Sequence, residues 1–240
     1  MPNDAIFEVS GIAQVVPAFF AAIAAVRFVG DLVRAGGPRT PGQLQPGDHF
    51  DRRHLVTVRG ERIVVPDERR IVHLQFRRFA GCPVCNLHLR SIVRRHDEIV
   101  AAGIHEVVFF HSSADDLREH TSALPFHVVA DPDKHLYDEL GVESSPRAML
   151  DPRAWIPIVR AVLVGAIAIL RGRAKPPAAN PHGGRYGLPA DLLIDTDGRV
   201  LAAHYGEHVD DQWSVDEVLE LAARPVMRRA ETTLRPAEAP

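Results

Sequence analysis

Residues 77–90 read RRFAGCPVCNLHLR and hold both cysteines of the 240-residue chain, Cys82 and Cys85. Two thiols within one helical turn allow three chemistries: a dithiol that cycles with a disulfide, half of a metal site, or an inert buried pair. Pro83 follows Cys82 and suits a first helical position, because it loses no hydrogen bond there and its φ is already helical. Cys82 then caps the helix, with the free amides of the first turn facing its sulfur and Arg77, Arg78 and Arg90 within a few residues. Both influences favour a thiolate, so a depressed pKa is expected at Cys82, with Cys85 one turn on as its partner. Cys82, Cys85 and His88 also spell C-x-x-C-x-x-H. A structural zinc site needs a fourth ligand, however, and only His73 or His111 from neighbouring strands could supply it. Neither a metal nor an organic cofactor is expected.

The elements that must position this pair are legible around it. The runs HLVTV (54–58), RIVVP (62–66) and IVHLQF (71–76) read as strands, the last apolar enough to be central and leading directly into the cysteines. A helix is expected from the cysteines to Gly103, on the period of Val84, Leu87, Ile92, Ile99 and Val100. HEVVFFHSS is a strand, ADDLREHTSA a helix, FHVVADP a strand and DKHLYDELGV a helix. Such alternation predicts an α/β sheet with parallel members. Residues 149–187 break the rhythm as an insertion whose apolar stretch WIPIVRAVLVGAIAILR has ten uncharged residues between Arg160 and Arg171, too few to span a bilayer. LPADLLID and VLAAHYG, joined by TDGR, predict a hairpin, and SVDEVLELAA a final helix. The divisions expected are an N-terminal apolar helix and linker over 1–42, a main domain over 43–224 and a flexible tail over 225–240.

Composition narrows the function. A net charge of -3 without a basic stripe argues against nucleic acid. Two cysteines in so long a chain are no secreted disulfide scaffold, which favours a cytoplasmic location. IAQVVPAFFAAIAAV near the N-terminus lacks the positive flank of a signal peptide and reads as an amphipathic helix. That helix would pack on the domain or in a homodimer, with peripheral membrane association as the alternative. His54, His73, His120, His127 and His135 read as ordinary strand or surface residues, and His204 and His208 would converge only on a helix. Asp131 and Asp133 read as turn and cap residues, and Asp195 and Asp197 as hairpin-turn residues.

A strand, a C-x-x-C opening a helix, further strand, helix and strand, and a late X-Pro before a strand together resemble the thioredoxin fold. QPGDHFDRRHLVTVRGE, FRRFAGCPVC, VVFFHSS, FHVVADPD and GLPADLLIDTDGRVLAAHYG resemble the alkyl hydroperoxide reductase and thiol-specific antioxidant group, over about residues 43–224. The nearest branch is the peroxiredoxin-like proteins that carry a C-x-x-C. The resemblance implies a central mixed sheet flanked by helices and a thiol-dependent oxidoreductase with no cofactor. Peroxide or a disulfide would be its substrate, and a thioredoxin-like or low-molecular-weight thiol its electron donor. Peroxiredoxins carry P-x-x-x-T-x-x-C; aligning that Cys with Cys85 puts Cys82 at the Thr and Arg78 at the Pro. The family's second Arg precedes the late strand, where Ala190 and Asp191 stand and Arg185 is the near substitute. Pro189 occupies the place of the cis proline that faces a thioredoxin-like dithiol. The thioredoxin analogy makes Cys82 the attacking thiol and the peroxiredoxin one Cys85. A redox-silent module that docks a partner or membrane through its apolar helices is the rival expectation.

Overall fold

A computed structural model describes residues 41–144, 151–172, 175–176, 181 and 184–234; the N-terminal apolar segment and the last residues of the tail lie outside them. A five-stranded mixed sheet in the order β5-β4-β3-β6-β7 is built from β3 (Ile71–Arg77), β4 (Ile104–Phe110), β5 (His127–Ala130), β6 (Ala190–Ile194) and β7 (Val200–Tyr205). β3, β4 and β5 run parallel, whereas β6 and β7 are antiparallel to their neighbours. The hairpin of β1 (Arg53–Val56) and β2 (Arg62–Val65) is separate from this sheet. A bridge between Thr57 and Val129 ties it to the β5 edge. The chain therefore has the thioredoxin-like α/β architecture with insertions.

The helices are α1 (Pro83–Arg94), α2 (His96–Ala101), α3 (Ala114–Thr121), α4 (His135–Glu139), α5 (Pro152–Leu170) and α6 (Val215–Leu234). The single helix expected up to Gly103 is broken at Arg95, which leaves helical geometry at φ -115°. Asp97 and Glu98 begin a new first turn there, where carboxylates suit the helix dipole. In the β6–β7 turn, Gly198 holds φ +90° and a Cβ would lie 2.8 Å from the His49 ring, so the DG signal reflects both backbone and space. Asp131 caps α4 by accepting from the amides of His135 and Leu136.

β3 is buried on both faces, and the faces differ in kind. Val72, Leu74 and Phe76 join Val107, Phe109 and Leu192 in one apolar cluster. His73, Gln75 and Arg77 point the other way and are also fully buried. α5 packs against α1, and its buried residues are a stripe of alanines, Ala154, Ala161 and Ala168, seven residues apart. A Cβ at Gly165 would be 3.8 Å from Pro83. The opposite face of α5 is exposed, with Ile156 at 81% and Leu170 at 86%. Its 19 residues make it the one described helix long and apolar enough to cross a membrane by length and composition. Arg160 lies inside this helix, and the ten uncharged residues before Arg171 form its second half.

Candidate functional site

β3 delivers the dithiol. After Arg77 the chain turns through Phe79–Gly81, where the Ala80 amide donates to Ser112 Oγ at 3.0 Å and the Cys82 amide to the Phe79 carbonyl at 3.1 Å. Gly81 takes φ +75°, a conformation that favours glycine. Cys82 is the N-cap of α1, with Pro83 opening the first turn. The Cys85 amide donates to Cys82 Sγ at 3.4 Å, and the Asn86 amide to the Cys82 carbonyl at 2.9 Å. Both thiols are free and buried, at 1% and 3% exposure.

The polarity of the pair is the reverse of that expected. Cys82 was to carry the thiolate because it caps α1. Burial, its hydrogen bond to Cys85 and the neighbouring sulfur's charge instead push the Cys82 thiol well up, against the weaker help of Arg78 and the Cys85 amide. Cys85 is drawn down to about 5: the Cys82 S–H donates to it, which outweighs the burial that opposes its charge, and Arg78 and Arg77 add positive charge. A helix start assists only the sulfur it can solvate better than water did, and here the donated S–H and the arginines outweigh it. The surroundings thus favour ionisation at Cys85 over Cys82.

Arg78 is buried and lies beside both sulfurs. Its carbonyl accepts from the His111 amide at 3.0 Å, which fixes the backbone at the mouth of the turn. Arg185 is exposed in the segment before β6, and Arg90 is exposed on α1. Pro189 is buried at the start of β6, but the cis expectation is not met: among the described residues the cis bond is Val65–Pro66. Leu188 donates to the Glu143 carbonyl, and the Pro189 carbonyl accepts from Gly206 at 2.9 Å, so a trans proline begins the strand in ordinary pairing. Two residues earlier, Gly187 makes the close approach. A Cβ there would lie 3.0 Å from His111 Nε2 and 3.3 Å from Arg78 Cγ. Gly187→Ala is therefore expected to lower stability by about 1–3 kcal/mol and to slow thiol alkylation by displacing Arg78, as read by thermal unfolding and alkylation rate.

His88 does not turn toward the thiols. Its Nε2 lies 3.3 Å from Arg77 Nη2, and burial together with Arg77 holds it neutral, at about 3. Among the described residues no group of three His, Cys, Asp or Glu side chains is arranged to hold a metal ion.

A cluster behind the pair was missed from the sequence. Arg77 Nη2 donates to Asp191 Oδ1 and to Gln75 Oε1, each at 2.6 Å. His73 sits between Glu106, at 3.0 Å from Nδ1, and Asp191, at 3.3 Å from Nε2. Gln75 also donates to Glu106. The signal available was alternation, since His73, Gln75 and Arg77 occupy every second position of a strand otherwise apolar. His73 is thus no ordinary strand histidine. Burial opposes its charge, but Glu106 and Asp191 raise it to about 9. A folded value above the ordinary 6.5 stabilises the fold fully below pH 6.5, and this contribution is lost as pH rises toward 9. Unfolding free energy is expected to decline over that interval in denaturant titrations, and less so in His73→Gln. Asp210, in the loop after β7, has its carboxyl raised by burial and is also acted on by Cys85 and Arg78.

The AhpC/TSA antioxidant enzyme model matches residues 91–208, just under half of the chain, and begins six residues after Cys85. A cysteine-to-serine variant of peroxiredoxin 6 of Arenicola marina superposes with a TM-score of 0.54 at 13% identity, covering 82% of this chain and 80% of that one. Peroxidoxin BcpB of Mycobacterium tuberculosis gives 0.48 at 14% identity, covering 81% and 100%. No curated protein matches the chain. The chain has a thioredoxin-like fold with a C-x-x-C pair at the head of α1. Its features are consistent with the AhpC/TSA antioxidant family.

Proposed function

We propose that the protein is a thiol-dependent oxidoreductase that reduces peroxide, or a disulfide, through a Cys82–Cys85 dithiol and disulfide cycle. The observation that carries this reading is a pair of free, buried cysteines at the head of α1, with the Cys85 amide donating to Cys82 Sγ and the buried Arg78 beside both sulfurs. Cys85 attacks the terminal oxygen of the peroxide, its S–O bond forms as the O–O bond breaks, and the leaving alkoxide takes the Cys82 proton. Cys82, now a thiolate, attacks the Cys85 sulfenic acid, and hydroxide leaves as the disulfide forms. A thioredoxin-like or low-molecular-weight thiol returns two electrons. Burial of both sulfurs favours a small peroxide as first substrate, because a protein disulfide reaches them only after the start of α1 opens. A cytoplasmic setting, where donor thiols are reduced, accords with two free cysteines.

The test is titration of the couple in glutathione or dithiothreitol buffers, read by alkylation and mass. A reversible two-electron transition between about -300 and about -120 mV is expected. Thiols that stay reduced across this range overturn the reading.

The exposed apolar face of α5 favours a second reading, a redox-silent module that docks on a partner or a membrane. Under it, flotation with liposomes or a change of oligomeric state would occur without any reversible disulfide.

A further inference from the structure

The buried cluster ends at the dithiol helix. Arg77 leaves β3 from the residue before Arg78, is pinned by Asp191 on β6 and Gln75 on its own strand, and reaches His88, one turn beyond Cys85 on α1. Its Nη1 also donates to the carbonyls of Phe76 and Ala190, at 3.1 and 3.4 Å, so the guanidinium plane cannot swing. Behind it, His73 couples Asp191 to Glu106, and the Trp213 amide donates to Asp191 Oδ2 at 3.3 Å. His73, Gln75, Arg77 and Asp191 are all fully buried, and Glu106 is nearly so. Apolar side chains of similar volume stabilise such a position as well as a buried ion pair does, so stability alone gives no reason for this arrangement. Its geometry does give one: a fixed cation held 3.3 Å from His88, one turn beyond Cys85 on α1.

We propose that Arg77, clamped by Asp191 and Gln75, is a positioning residue for the Cys82–Cys85 couple, laying a fixed positive charge behind Cys85 that sets the balance between dithiol and disulfide. The inference rests on the redox reading of the pair. Arg77 favours the reduced state, which carries the thiolate, over the neutral disulfide. Arg77 acts through the field at Cys85 and touches no substrate, and His88, held neutral, lets that field pass without adding a competing charge. Asp191 partly offsets Arg77, so the two residues pull the couple in opposite directions.

The test uses the full chain and two variants. Arg77→Met with Asp191→Leu removes the pair together, and His73 keeps Glu106 as its partner. The oxidation equilibrium with glutathione is expected to shift about threefold toward the disulfide, with the pH midpoint of Cys85 alkylation rising by about half a unit, because loss of Asp191 returns part of what loss of Arg77 removes. Asp191→Asn, nearly isosteric, leaves Arg77 less neutralised and should move both quantities the other way, by at least threefold for the equilibrium. A purely structural role would loosen the site alike in both variants. Values within twofold of wild type in the folded double variant, or shifts of the same sign in both, overturn the proposal. Should either variant not fold, nitrogen NMR of the imidazoles in the wild-type protein decides. Oxidation removes the thiolate and must lower the His73 titration midpoint, and an unchanged midpoint overturns the proposal. A wild-type protein that forms no reversible disulfide instead defeats the redox reading, while the alkylation midpoints still judge Arg77.

Discussion

Cys85→Ser is expected to slow reaction of the protein with peroxide or a small alkylating agent at pH 7 by about 100-fold, and to abolish cycling. The magnitude follows from ionisation. A Cys85 thiol drawn down to about 5 is almost wholly thiolate at pH 7. The Cys82 thiol left behind loses the Cys85 charge but keeps the burial that is the largest cause of its upward shift, so on the order of 1% of it is ionised at that pH. Cys82→Ser should differ in kind. Its hydroxyl can still donate to Cys85, so the first reaction with peroxide proceeds at near the wild-type rate, but the sulfenic acid formed has no partner thiol and accumulates after one turnover. Stopped-flow peroxide consumption with mass detection of the oxidised species separates the two variants. Equal rates for Cys85→Ser and wild type would assign the attack to Cys82, as the helix-cap argument alone implied, and would sink the order of steps given above.

Arg78→Met carries the next largest effect. Arg78 is buried beside both sulfurs and is the principal cation acting on them. An opposite charge at this range moves a thiol by about one to three pH units, so the alkylation midpoint should rise by at least one unit, and reactivity at pH 6 should fall about twofold for a rise of one unit and about tenfold for a rise of two. Arg78→Lys keeps the charge but not the planar fork, and should fall between. Thermal unfolding checks that the fold persists, since Met fills a similar volume without the buried charge. A folded Arg78→Met protein with an unmoved midpoint would leave the thiolate to the Cys82 hydrogen bond and Arg77. Gly187 bears on the same result, because it leaves the space in which the Arg78 side chain lies.

The strands and most helices were legible because their signals are local. IVHLQF announces a buried strand, DG a hairpin turn, and C-P at a strand end a capped helix. The break at Arg95 was not legible, since the apolar period runs through it and the new first turn is set by Asp97 and Glu98. Pro189 shows the limit of analogy: its place in the order of motifs matches a cis proline, but its pairing with Gly206 is that of a trans strand start. Arg185 was nominated because it is near in sequence and is exposed in the segment before β6, while Arg78 and Arg77 both favour the Cys85 thiolate.

By itself the sequence determined the chemical type of the site: two thiols a turn apart, a proline to start the helix, arginines close by, and a strand to carry them into the core. Only the tertiary structure decided which sulfur bears the charge. Ionisation depends on burial and on groups brought together from afar, here Arg78 and Arg77 from the end of β3 and Asp191 from β6, more than one hundred residues on. Those distances are set by the register of β3 against β4 and β6, which places His73 opposite Glu106 and Gln75 opposite Asp191. Residue spacing along the chain carries no record of such cross-strand neighbours, and the electrostatic field at a buried sulfur is made chiefly by them.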